Sequence, residues 1–152
     1  MKKKIEKFPL SVHLILELDD KILFIKRKNT GYEDGKYSLP AGKVEKNESV
    51  YDAIVRETRE EIGIDILKDE VEIIHVLHRR GDDYGRIDYF FKTSKWRGKV
   101  FNAEPDKCDE VKWMIGNEAY VEYIPYIRTV LKLIYEKKFF SIIGWDANRE
   151  EV

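Results

Sequence analysis

Glu57, Glu60 and Glu61 stand at positions i, i+3 and i+4 of the stretch "GKVEKNESVYDAIVRETREEIGI", residues 42–64. Helical spacing places all three carboxylates along one side of a helix's last turn. There they face the negative end of the backbone dipole, at a cost of about 0.3–1 kcal/mol each at exposed sites, and they repel one another. Such a cluster needs a cation. Its donors are hard oxygens, which suit Mg²⁺ or Mn²⁺ better than zinc. A magnesium site that keeps open positions usually holds phosphate oxygens, so the implied chemistry is metal-assisted cleavage of a phosphoanhydride.

The competing reading of an acidic helix end is a solvated face with local ion pairs. The wheel weakens it. At about 100° per residue with Val50 at zero, Val50, Tyr51, Ile54, Val55, Thr58 and Ile62 fall within an arc of roughly 140°. Glu61 comes out at roughly 20°, inside that arc, with Glu57 at roughly 340° and Glu60 at roughly 280° on its shoulder. Arg56, Arg59 and Asp52 occupy the opposite, solvent side. His75 and His78 lack the spacing of a closed zinc site, and mid-strand His13 reads as a packed or edge residue.

The elements that position these acids follow from pattern. "PLSVHLILEL" and "KILFIKRK", separated by Asp19 and Asp20, read as a hairpin. "NTGYEDGKYSLPAGKVEKNES" reads as an exposed loop able to carry function. The helix is expected from about Glu48 to Ile62, with Asn47 as N-cap and Gly63 as its stop. "VEIIHVLHRR" and "RIDYFFKTSKW" read as strands joined at "GDDYG", and "DEVKWM" as a shorter strand. "AYVEYIPYIRTVLKLIYEKK" is apolar at helical spacing, with Pro125 in its first turn, and the tail returns to extended character. This order suggests an α/β fold with a mixed sheet and helices on both faces. It lacks the G-x-G-x-x-G arrangement of a dinucleotide-binding βαβ unit.

Composition sets the bounds. The 152 residues are 43% hydrophobic, enough for a single domain, residues 1–152, with a real core. Lys plus Arg (28) and Asp plus Glu (29) nearly cancel, so nothing global points to nucleic acid or a membrane surface. Cys108 is the only cysteine, which excludes an intrachain disulfide and fits a cytoplasmic location. The opening "MKKKIEKFPLSVHLILELDD" reads as a basic segment entering a strand, because Ser11, His13 and Glu17 break its apolar run.

Gly42, Glu48, Arg56, Glu57, Glu60, Glu61, Gly63 and Ile64 together resemble the Nudix hydrolase box, with Thr58 where an aliphatic residue is usual. "YSLPAGKVE" also resembles the family's entry to the box, with Ala41 where many members carry a second glycine. The resemblance implies a single-domain α/β/α sandwich around a mixed sheet. It also implies Mg²⁺- or Mn²⁺-dependent hydrolysis of a nucleoside diphosphate linked to another group. By the same resemblance Glu57, Glu60 and Glu61 hold the metal with the carbonyl of Ala41, and Arg56 orients the acids by pairing. Glu45 and Glu48 brace the loop. A carboxylate from a later loop completes such sites: Glu104 is preferred, with Asp109 and Glu110 as alternatives.

On the substrate side, Arg27 and the "HRR" containing Arg79 offer charge for phosphates. Tyr37 and Trp145 offer rings for a base, and Asp109 is a further candidate contact. The small MutT-like segments favour a (deoxy)nucleoside triphosphate, cleaved to monophosphate and pyrophosphate. Alternatives are a nucleotide sugar such as ADP-ribose, a dinucleoside polyphosphate, or a non-catalytic nucleotide sensor. A small-molecule nucleotide partner, no stable nucleic-acid partner, no membrane and a monomer or homodimer complete the expectation.

Overall fold

The computed structural model describes residues 2–81, 84–116 and 122–145. Its strands are β1 (Leu10–Leu18), β2 (Lys21–Arg27), β3 (Tyr37–Ser38), β4 (Ala41–Lys43), β5 (Glu72–Arg80), β6 (Gly85–Thr93), β7 (Cys108–Met114) and β8 (Phe140–Ile143). The helices are α1 (Val50–Ile62) and α2 (Pro125–Tyr135), with one 3₁₀ turn at Lys68–Glu70. The strands run in the order β3-β2-β1-β6-β5-β8, while β4 pairs with β1 and β7 with β2. Parallel β1–β6 and β5–β8 pairs sit among antiparallel ones, so the sheet is mixed.

Strand β1 shows why helices cover both faces. Successive side chains of a strand point to opposite sides. Val12, Leu14 and Leu16 pack with Ala53, Ile54 and Ile62 of α1. Ile15 packs instead with Phe90, Leu77 and the α2 residues Ile127 and Val130. The result is the mixed sheet with helices on both faces expected from the element order, and the α/β/α sandwich that the resemblance implies.

Helix α1 starts later than the sequence pattern suggests. Asn47 is not the cap: its φ of 63° places it in the left-handed region, where it turns the chain ahead of the helix. Ser49 caps instead. Its hydroxyl accepts from Asp52 N at 3.0 Å, and the Asp52 carboxylate accepts from Ser49 N at 3.1 Å, a reciprocal capping box. Gly63 ends the helix as expected, with φ 70° and its N–H bonded to Arg59 O. Pro125 occupies the first turn of α2, also as expected.

The loop before α1 contains the two short strands β3 and β4, whose two and three residues carry no readable period. Their pairing with β2 and β1 pins the entry to the box against the central sheet. Asp82 and Asp83 of "GDDYG", residues 119–121 of the expected C-terminal helix and the tail beyond Trp145 lie outside the described residues. No helix among the described residues is long and apolar enough to cross a membrane.

Candidate active site

The end of α1 gathers its acids around one guanidinium. Arg56 Nε and Nη2 donate to the two oxygens of Glu48 at 2.7 and 2.9 Å, a bidentate pair. Its Nη1 reaches Glu57 Oε1 at 2.7 Å and Glu60 Oε2 at 3.2 Å, and Nη2 also donates to the carbonyl of Lys43 at 3.0 Å. Arg56 thus ties the loop, β4 and two of the three clustered acids together. Its hydrogen bond holds the Glu48 carboxyl below the usual carboxylate range.

Glu61 is held from another direction. Its Oε2 accepts from the backbone N–H of Ala41 at 2.8 Å. Burial pushes the Glu61 carboxyl well up, against that hydrogen bond, and the Glu57 and Glu104 charges add to the rise. Burial likewise raises Glu57, whose side chain is 13% exposed, against the hydrogen bond and charge of Arg56, and the Glu60 and Glu104 charges add to the rise. Glu60 is 51% exposed and faces solvent. Gly42 makes the arrangement sterically possible, since a Cβ there would stand 1.9 Å from Glu57 Cδ.

The later wall comes from residues 101–104. Phe101 N and Ala103 N donate to the carbonyls of Ile62 and Glu61 at 3.1 and 3.0 Å, satisfying the end of α1. This docking brings Glu104 next to the box. Of the three later carboxylates, Asp109 is exposed on β7 and Glu110 is engaged by the Tyr37 hydroxyl at 2.8 Å. Glu104 acts electrostatically on Glu57 and Glu61 together.

Among the described residues, no three metal-ligating side chains already converge on one point. Arg56 holds Glu57 and Glu60 while Ala41 holds Glu61, so the repelling carboxylates are tethered apart. The donor set nevertheless fits a hard divalent cation. It is all oxygen, and two of its carboxyls are buried in conditions that penalise their own charge.

Beside the box lies a cavity of about 650 Å³, built from the end of β2, the following loop, the adjoining ends of β5 and β6, and the start of α2. Arg27 and Arg79 both line it. Tyr37, Asp109 and Trp145 do not, and Trp145 packs edge-on against Phe8 and at a tilt against His78. Reading the sequence alone missed Lys43, Tyr32, Tyr84, Arg86 and Tyr126, all of which line the cavity. One signal was present. "RIDYFF" alternates charged and apolar residues in a buried strand, and its Asp88 accepts from Arg79 Nε at 3.1 Å and pairs with His13 Nε2 at 3.0 Å.

The chain thus combines a mixed sheet between two helices with a glycine-bounded acidic helix end and a cation-lined cavity whose lining includes Lys43, next to Gly42 of the box. Residues 7–132 match the family model of the NUDIX domain, and the chain belongs to the Nudix family. It is 44% identical to an ADP-ribose pyrophosphatase of Methanocaldococcus jannaschii over 41% of this chain and 40% of that protein. It is 31% identical to an 8-oxo-dGTP diphosphatase of Buchnera aphidicola over 57% of this chain and 67% of that one. The first curated relatives it matches are spanned over only 40–43% of their length. The crystal structure of a MutT NUDIX hydrolase from Burkholderia pseudomallei superimposes with a TM-score of 0.75 at 25% identity, covering 84% of this chain and 98% of that one.

Proposed function

We propose that this chain is a divalent-metal-dependent pyrophosphohydrolase acting on a nucleoside diphosphate-linked substrate, first of all a (deoxy)nucleoside triphosphate released as monophosphate and pyrophosphate. The observation that carries this reading is the pair of buried, mutually repelling carboxylates of Glu57 and Glu61, faced by Glu104 and adjoining a cavity lined by cations. Glu57, Glu60, Glu61 and Glu104, with the Ala41 carbonyl, would hold the ion. When bound, Mg²⁺ or Mn²⁺ supplies Lewis-acid stabilisation of the phosphate oxygens and lowers the pKa of a bound water.

The chain's own residues do the rest. Arg56 fixes the rotamers of Glu57 and Glu60, Gly42 leaves room for the Glu57 carboxylate, and the Ala41 N–H orients Glu61. A water oxygen forms the new P–O bond, the anhydride P–O bond breaks, and the water's proton passes to a box carboxylate. Cations of the cavity offset the charge of the departing phosphates.

The experiment is a Mg²⁺-dependent hydrolysis panel of nucleoside triphosphates, nucleotide sugars and dinucleoside polyphosphates, with Glu60→Gln and Glu61→Gln as controls. Metal-dependent turnover lost in both variants supports the proposal. Equal turnover by the variants would overturn the metal site, and nucleotide binding without turnover of any compound would assign a sensor. A nucleotide sugar is the second reading, favoured by the local likeness to the ADP-ribose pyrophosphatase.

A further inference from the structure

The cavity is furnished chiefly with cationic donors, set beside the hydroxyls of Tyr32, Tyr84, Tyr126 and Thr129. Its described lining carries Arg27, Lys43, Arg79, Arg80 and Arg86 against a single acid, Glu33, and that acid is paired with Lys36. No Asn or Gln is among them. A base edge presents donors and acceptors together, whereas phosphate oxygens only accept. The lining therefore matches phosphate.

Its aromatic rings agree. The guanidinium of Arg79 lies 3.8 Å from the centroid of Tyr126, that of Arg86 lies 5.0 Å from Tyr84, and that of Arg27 lies 5.5 Å from Tyr32. Each cavity tyrosine thus gives a ring face to an arginine. Rings used in this way back cations in place and are less available to stack on a base.

Arg79 is the centre of the arrangement. It is 7% exposed, and only its Nε is engaged, by the fully buried Asp88. Asp88 is itself held by His13, whose ring stacks on Phe90 at 4.4 Å. Clamped on one side by Asp88 and on the other by Tyr126, the guanidinium keeps both Nη nitrogens for the cavity. A planar fork fixed in this way suits bidentate contact with a phosphate.

Resting on the proposed hydrolase reading and deepening it, we infer that the cavity is a polyphosphate cradle: Arg79, positioned by Asp88 and His13, binds the distal phosphates of the substrate, so the chain selects for phosphate number and not for the base. A triphosphate chain then extends from the box carboxylates into the cavity, and the leaving pyrophosphate is what the arginines hold.

The test is calorimetric titration of the full chain, without divalent metal, using inorganic tripolyphosphate, pyrophosphate and free nucleosides as probes. Tripolyphosphate is expected to bind more tightly than pyrophosphate, and nucleosides not at all. Arg79→Gln should weaken tripolyphosphate binding by roughly tenfold or more, with Arg79→Lys intermediate because it keeps charge but loses the fork. Asp88→Asn should weaken the binding of tripolyphosphate and of pyrophosphate alike, since Arg79 loses the carboxylate that positions it. Arg86→Gln serves as a second cavity variant if Arg79→Gln fails to fold, and Lys132→Gln, on the exposed side of α2, tests for diffuse charge attraction. Unchanged binding in the cavity variants, an equal loss in Lys132→Gln, or nucleoside binding that competes with tripolyphosphate would each overturn the inference. Because no step requires turnover, tripolyphosphate binding without hydrolysis would leave the cradle standing and remove the enzyme reading, and base-selective hydrolysis without such binding would do the reverse.

Discussion

The backbone N–H of Ala41 donates to Glu61 Oε2 at 2.8 Å, so a strand of the box entry holds the most deeply buried acid of the helix end. Burial and neighbouring charges raise both Glu61 and Glu57. A carboxyl whose folded pKa lies above its unfolded one destabilises the fold as pH rises from the unfolded value through the folded one. The metal-free protein therefore carries this penalty at neutral pH. Glu61→Gln keeps an oxygen for the Ala41 N–H and removes the charge. It should melt higher than the wild type in EDTA at pH 7, by roughly 2–4 °C for each kcal/mol recovered. It should also lose most of the stabilisation that Mg²⁺ gives the wild type in a thermal scan.

Gly42 owes its place to close approach, since a methyl group there would displace the Glu57 carboxylate. Gly42→Ala should leave the fold intact by circular dichroism and lower kcat in Mg²⁺ by about a hundredfold, the scale expected of a misplacement of roughly 1 Å. Wild-type turnover in this variant would remove Glu57 from the proposed mechanism.

Asp88 predicts a pH signature of its own. Burial alone would raise its carboxyl, but the His13 hydrogen bond and the Arg79 charge outweigh burial and hold it below the usual range. A depressed folded pKa contributes stability above the unfolded value of about 3.9 that is lost as pH falls through the folded one. Asp88→Asn leaves Arg79 buried without its countercharge and should cost about 3–5 kcal/mol near pH 7. Urea titrations should show that difference shrinking steadily below about pH 4.

Thr58 is 1% exposed, and its hydroxyl has no hydrogen-bond partner among the described residues. Thr58→Val replaces the hydroxyl by a methyl of similar size and should stabilise the protein by about 1 kcal/mol in chemical denaturation. Destabilisation would mean that the hydroxyl has a partner in solution.

The box was legible because its chemistry is local. Arg56, Glu57, Glu60 and Glu61 sit within six residues, and helical geometry alone brings them together. Gly63 and Pro125 were legible for the same reason, as residues whose backbone preferences mark helix ends. The cavity was much less so, because it joins β2, a loop, β5, β6 and α2, and its pairings span long separations such as that of His13 with Asp88. Arg27 and Arg79 were picked out by charge, but nothing in their spacing shows that Tyr32 and Tyr126 back them. The Asn47 cap failed because two polar residues compete for that role, and the left-handed turn at Asn47 leaves Ser49 facing the first free amides.

Strand β1 serves both halves of the molecule at once. Its even-numbered Val12, Leu14 and Leu16 support the helix that carries the acids, and its odd-numbered His13 and Ile15 support the face that carries Arg79. A slip of one residue in its pairing would exchange the two sets, sending an imidazole into the α1 core and stripping Asp88 of its partner. Neither half can drift while the other stays in place, so the spacing between the acidic helix end and the arginine cavity is set by a single shared strand.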